Sequence, residues 1–323
     1  MHYRKLGPTE AEISEIGYGA WGIGGKQWLG GNDEEAFRAL ERAFELGVNF
    51  VDTALAYGDE GHSEQLVGKA VKKSFSQVFI ATKIPPKNRV WPASPDTPIE
   101  DVFPYDYIIE STEQSLRNLG VEQIYLQQFH VWTDAWTGTD DWRRAVEDLR
   151  QSGKVRFVGI SISEHDPDSA LEAVRTGLIN AVQVIYNIFD QSPEVNLFPL
   201  CQEMKVGVLA RVPLDEGGLT DTITRDTVFE PGEFRESYFR GDRKQQVVDH
   251  VAALKSDLKD VPGTLAEIAL RFCLSNKAVT SVIPGMRRVT TVESSCRASG
   301  AGALDADTLA ILKRHGWPRN FYQ

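Results

Sequence analysis

The stretch Phe50-Val51-Asp52-Thr53-Ala54-Leu55-Ala56-Tyr57-Gly58 decides how this chain reads. Val48 to Val51 is a short β-branched and aromatic run, the composition of a buried strand. The run stops on a carboxylate, Asp52, and a phenol, Tyr57, follows five residues later. An Asp-Thr pair after a strand also serves as a helix cap, and a Tyr beyond it also serves as packing. The stretch therefore takes its meaning from what the other strands of the chain deliver.

Outward from this strand, apolar runs alternate with amphipathic ones. Residues 2–17 read as two short strands around a turn at Gly7-Pro8, and a first barrel-type strand follows at 16–20. Asp33–Leu46 reads as a helix capped by Asp33 and stopped by Gly47, and 63–72 as a helix capped by Ser63. Strands are expected at 78–83, 124–129, 155–160, 181–185, 206–210 and 279–283. Helices are expected at 107–119, 140–152, 167–176, 194–204, 242–258, 264–275, 289–298 and 305–315. Residues 84–105 hold six prolines and no periodicity, a long loop of the kind that carries function. Eight strand-then-helix units without a composition break predict a single domain over 1–323, a (β/α)8 TIM barrel with an N-terminal β-hairpin and extra C-terminal helices. An open doubly wound sheet is the alternative. Gly17, Gly19, Gly22, Gly24 and Gly25 form a loop whose backbone must approach something closely. They lack the following helix and the acidic residue of a dinucleotide fingerprint, and no Gly-Lys-Ser/Thr ending marks a phosphate loop.

Composition narrows the class. At 323 residues with 41% hydrophobic and 25% charged residues, the chain can bury a core without disulfide or metal staples. Three widely spaced cysteines, Cys201, Cys273 and Cys296, have no metal-ligand spacing and suit a reducing compartment. The first residues contain no apolar leader, and no apolar run reaches membrane-span length. A net charge of −11 argues against nucleic-acid or anionic-membrane binding, and any anionic ligand needs a local cationic pocket. The expectation is a cytoplasmic protein with no metal, a small-molecule substrate and an open oligomeric state.

In a barrel of this kind chemistry gathers at the C-terminal ends of the strands. The second strand ends at Asp52 with Tyr57 beyond, the third at Lys83, the fourth at His130. A phenol is a poor acid at neutral pH unless its phenolate is stabilised. A buried lysine lowers its pKa, a carboxylate holds the lysine, and a neutral histidine orients a carbonyl oxygen. Such a group suits carbonyl reduction by hydride transfer, with the hydride coming from a cofactor.

These motifs carry a resemblance. Asp52 with Tyr57-Gly58, Thr82-Lys83, Gln128-Phe129-His130, Gly159-Ile160-Ser161, Gln183-Val184-Ile185-Tyr186-Asn187, Val212-Pro213-Leu214 with Gly217-Gly218-Leu219, and Ile283-Pro284-Gly285 together resemble the aldo-keto reductase family over nearly the whole chain. The resemblance implies a barrel binding NADPH in extended form and the tetrad Asp52, Tyr57, Lys83 and His130, with Tyr57 as proton donor. It places Ser161 and Gln183 on the nicotinamide carboxamide and Thr53 near the nicotinamide ribose. Gly22, Val212, Pro213, Leu214, Gly218, Gly285 and Ser295 complete the expected cofactor contacts. Arg287 and Arg288, at a helix N-terminus, are expected to hold a 2′-phosphate and select NADPH over NADH. Trp21, Trp91 and Trp132 are the candidate substrate wall, with Tyr238-Phe239-Arg240 as part of a lid.

Two departures stand out. Ile162 follows Ser161 where the family commonly has Asn, and Arg211 stands where many members stack an aromatic ring on the nicotinamide. A cation there disfavours the positively charged oxidised ring; alternatively, Arg211 turns away to pair with Asp215 or Glu216. The expected activity is NADPH-dependent reduction of an aldehyde, ketone or keto-sugar. The alternatives are a nicotinamide-binding regulatory subunit with little turnover, and a hydrolase or isomerase using Asp52 with His130.

Overall fold

Eight parallel strands wind into one barrel because each apolar run is followed by a helix that returns the chain to the same end. The computed structural model describes all 323 residues. An antiparallel hairpin, β1 (Tyr3–Lys5) with β2 (Glu12–Ser14), precedes the barrel. The barrel strands are β3 (Tyr18–Gly19), β4 (Phe50–Asp52), β5 (Phe79–Ile84), β6 (Ile124–Phe129), β7 (Val155–Ser161), β8 (Ala181–Ile185), β9 (Gly207–Arg211) and β10 (Val279–Val282). They pair in sequence order, and parallel bridges from Ile16 to Val282 and from Gly19 to Gly285 close the seam. The expected (β/α)8 architecture is the one observed.

The glycine stretch has a structural explanation. Gly17 N donates to Val282 O at 2.8 Å and Gly19 N to Pro284 O at 3.0 Å. A Cβ on Gly19 would lie 2.7 Å from two carbonyl oxygens of β10's extension, and one on Gly24 would lie 2.8 Å from the Tyr57 carbonyl carbon. What these glycines approach is the barrel seam and the Tyr57-Gly58 turn.

Strand parity builds the interior. Leu6, Ala11 and Ile13 from the hairpin plug the N-terminal end against Phe50, Ala81, Leu126, Ala181, Leu209 and Ile283. Side chains two residues further along a strand point the same way. Phe50 is thus followed inward by Asp52, Ala81 by Lys83, Leu126 by Gln128, Ala181 by Gln183, and Leu209 by Arg211. An apolar floor carries a polar layer directly above it. Gly159, in β7, leaves space for that layer: a Cβ there would meet Ala181 O at 2.8 Å and Gln128 Cγ at 3.2 Å.

The larger core lies between strands and helices and includes the fully buried Trp132 and Trp142. Helix boundaries follow the periodic runs, but two caps differ from expectation. Asn32, not Asp33, caps the helix Asp33–Glu45 by accepting from Glu35 N. Ser63 lies inside the helix His62–Lys73 and donates instead to Ala20 O. The long loop contains one short helix, Ile99–Val102.

Candidate active site

Asp52, the last residue of β4, is 3% exposed and holds three side chains together. Its Oδ2 accepts from Lys83 Nζ at 2.5 Å, and its Oδ1 accepts from Gln128 Nε2 at 3.1 Å and Gln183 Nε2 at 2.8 Å. Lys83 Nζ also donates to Thr53 O at 2.9 Å and to Tyr57 Oη at 3.2 Å. All three ammonium protons are therefore directed, and the lysine is fully buried. A buried charge is tolerated only with such pairing. The result is a carboxylate–ammonium–phenol chain running from the barrel axis to the loop after β4.

The ionisation states follow. Burial pulls the Lys83 ammonium down, but Asp52 and Tyr57 outweigh it, and its pKa lies above the ordinary lysine value. Burial pushes the Tyr57 phenol up; Lys83 pulls it down, and the net is a rise. This corrects the expectation that Lys83 leaves Tyr57 with a depressed pKa: the ammonium limits a rise set by desolvation. Tyr57 is consequently a neutral phenol with a hydrogen to give, next to a cation that stabilises the phenolate once the hydrogen has left. His130, the residue after β6, lies edge-on to Tyr57 with ring centroids 5.6 Å apart. Burial, then Lys83 and Arg211, hold its imidazolium well below the usual range, so the ring is neutral. Its Nδ1 is buried without a partner. The tautomer protonated at Nε2 leaves only a lone pair there and presents an N–H to the well.

Across the well, Arg211 ends β9 and reaches over β8. Its Nη2 donates to Ile162 O at 3.1 Å and lies 3.6 Å from Glu164 Oε1. Asp215 and Glu216 are engaged elsewhere. Asp215 accepts both 2.6 Å bonds from Arg319 and one at 3.2 Å from Tyr238 Oη, and Glu216 accepts from Tyr322 Oη at 2.6 Å. Trp21 lies 6.2 Å from the Tyr57 ring and Trp91 5.9 Å from the His130 ring.

The aldo/keto reductase family model matches residues 15–316. The chain belongs to the aldo-keto reductase family. It is an oxidoreductase of a family that works with nicotinamide cofactors. It is 30% identical to the uncharacterized oxidoreductase YqkF of Bacillus subtilis, over 98% of this chain and 96% of that one. It is 29% identical to an NADH-specific methylglyoxal reductase of Escherichia coli, with 94% of each chain covered. Among solved structures, the glycerol dehydrogenase AKR11B4 from Gluconobacter oxydans superposes with a TM-score of 0.79 at 25% identity, over 97% of this chain and 94% of that one.

Several candidate residues of this aldo-keto reductase lie where the sequence reading did not put them. Thr53 is fully buried, its hydroxyl 2.9 Å from Ser63 Oγ, so it supports the Lys83 shell and does not reach a ribose. Gln183 directs its Nε2 to Asp52 and to Gln128 Oε1, leaving only its carbonyl oxygen for a ligand. Trp132 is fully buried among Phe129, Trp136 and Trp142 and is not a wall residue. Tyr238 is buried against Phe321 and Tyr322, and buried Phe239 stacks on Phe229, so they form no free lid. The two arginines diverge. Arg287 donates to Leu29 O at 2.7 Å and lies over Trp28, while exposed Arg288 stands 3.8 Å from Glu35. Arg288, Asn32, Glu35, Arg38 and Thr290 line one surface depression. Ser161 and Ser295 are each 3% exposed. Val212, Pro213 and Leu214 lead into a tight loop closed by Gly218, where a Cβ would lie 2.6 Å from Asp215 Oδ2. Gly22 and Gly285 face the seam loops, with Arg287 Cδ 3.7 Å from a Cβ position on Gly22.

The sequence reading missed Gln128 as a ligand of Asp52, Glu164 as the partner of Arg211, and Trp28 beside Trp21 at 5.5 Å. Gln128 was findable: it stands two residues before His130 on the same strand face. Glu164 lies in an irregular loop and gave no signal.

Proposed function

We propose that this protein reduces an aldehyde, ketone or keto-sugar to the alcohol with NADPH as the hydride source. The carrying observation is the Asp52–Lys83–Tyr57 chain, at 2.5 and 3.2 Å, aimed at the same well as His130. A bound nicotinamide supplies the hydride. The protein's part is to orient the carbonyl oxygen with the His130 N–H and give it the Tyr57 proton as charge develops there. The Tyr57 oxygen is then left beside the Lys83 ammonium. Trp21 and Trp91 offer flat apolar walls to a substrate. Arg288 supplies the local cation that a 2′-phosphate needs, in exchange for its loose contact with Glu35.

The test is NADPH oxidation against a panel of aldehydes, ketones and keto-sugars. Tyr57→Phe is expected to lower kcat about 10²- to 10⁴-fold while leaving the cofactor dissociation constant within about twofold. Retention of wild-type turnover would break the proton-donor assignment. A regulatory subunit that binds cofactor without turnover would show binding and no oxidation with any carbonyl; the fully directed Lys83 argues against it.

A further inference from the structure

Arg211 and Glu164 form the one ion pair that spans the far wall of the well, and both are mostly buried, at 17% and 15% exposure. The arginine's side chain crosses the top of β8 to the loop after β7, held by Ile162 O at 3.1 Å. A carbonyl held by Tyr57 and His130 on the β4–β6 side must receive its hydride from a ring lying between them and the ends of β7–β9. That wall is Ser161, Gln183 and the Arg211 bar. Arg211 is close enough to the reaction point for its charge to lower the pKa values of both Tyr57 and His130. Glu164 makes no other ion pair. Glu216, the next carboxylate within reach of Arg211, is held by Tyr322 and by burial pushed up to about 7, so it supplies only a partial counter-charge near neutrality.

Resting on the proposed nicotinamide site, we propose that Arg211 and Glu164 are a charge-balanced pair facing the cofactor ring and set its relative affinity in the oxidised and reduced states. The oxidised ring carries one positive charge more than the reduced ring. An unbalanced guanidinium beside it penalises the oxidised form, and an unbalanced carboxylate favours it. Glu164 is then the specificity residue that keeps the oxidised form bound, and Arg211 the one that keeps it releasable. Ile162, which has no side-chain polar group, leaves its carbonyl to anchor the bar.

The experiment is titration of tryptophan fluorescence with NADP+ and NADPH, and with NAD+ and NADH, for wild type, Glu164→Gln, Arg211→Met, the double variant and Glu164→Asp. The readout is the ratio of oxidised to reduced dissociation constants. Glu164→Gln is expected to raise that ratio about fivefold and Arg211→Met to lower it about fivefold. The double variant is expected to return to within about twofold of wild type, and Glu164→Asp, which keeps the charge, to stay there. A pair that only braces the loops would change Tm without moving the ratio in opposite directions. If the two single variants shift the ratio the same way, or neither shifts it while wild type binds both forms, the proposal is wrong. If wild type binds no nicotinamide at all, the proposed function falls with it.

Discussion

Replacing Lys83 by Met removes the ammonium at the centre of the site and keeps a stem of similar length. Asp52 then remains a carboxylate at 3% exposure whose side-chain donors are Gln128 Nε2 at 3.1 Å and Gln183 Nε2 at 2.8 Å. Removing one partner of a buried pair costs about 3–5 kcal/mol. The two amide donors left on Oδ1 put this site at the lower end, about 3 kcal/mol. With an unfolding entropy of about 2.1 cal/mol/K per residue, a chain of 323 residues loses about 4 °C in Tm. The Asp52→Asn/Lys83→Met double variant buries no unpaired charge and is expected to recover about 2 kcal/mol of that loss. Lys83 has a folded pKa above its ordinary 10.5, so its contribution is complete below that pH and is lost only as pH rises through the folded value. The Lys83→Met deficit should accordingly be flat around neutrality. Urea and thermal melts followed by circular dichroism measure it. A double variant no more stable than Lys83→Met alone would refute the view that the pair's charges compensate one another. Both variants should lose turnover, since the developing phenolate has lost its cation.

Two further outcomes follow from other parts of the structure. Arg288→Ala should raise KM for NADPH about tenfold and KM for NADH less than about twofold, whereas Arg287→Ala, bonded to Leu29 O, should not discriminate between the cofactors; equal effects on both cofactors would remove Arg288 from the 2′-phosphate. Glu216 has a folded pKa of about 7 against an ordinary 4.5, so the folded state holds its proton more tightly and stability is lost as pH rises through that window. Glu216→Gln keeps an acceptor for Tyr322 and should flatten the pH dependence of stability between about 4.5 and 7, with a gain of up to about 3 kcal/mol above it; an unchanged pH–Tm curve would show that Glu216 is not protonated in the folded protein.

Strand order, barrel closure and the tetrad were legible in the chain because they depend on short-range rules. Period-two alternation places Asp52, Lys83 and Gln128 above Phe50, Ala81 and Leu126 whatever the loops do. The helix caps failed by a residue because Asn32 and Asp33 are both competent caps, and only the turn geometry chooses between them. The two candidate cofactor arginines diverge for a different reason. Adjacent residues at a helix start point in different directions, and Arg287 found a carbonyl 258 residues away in sequence.

What the sequence by itself determined, then, is the inward polar layer at the strand ends. Tertiary structure alone decided which way each remaining charge is neutralised. Arg211 goes to Glu164, Asp215 goes to Arg319, and Gln183 turns to Asp52. The physical reason is that buried charges and polar groups must find partners. Several candidates of equal chemistry lie in each loop, so the partner is set by distance in the folded barrel rather than by any local pattern. The opposite walls of one well are thus read in different ways: the Tyr57 wall from strand parity, the Arg211 wall from its contacts.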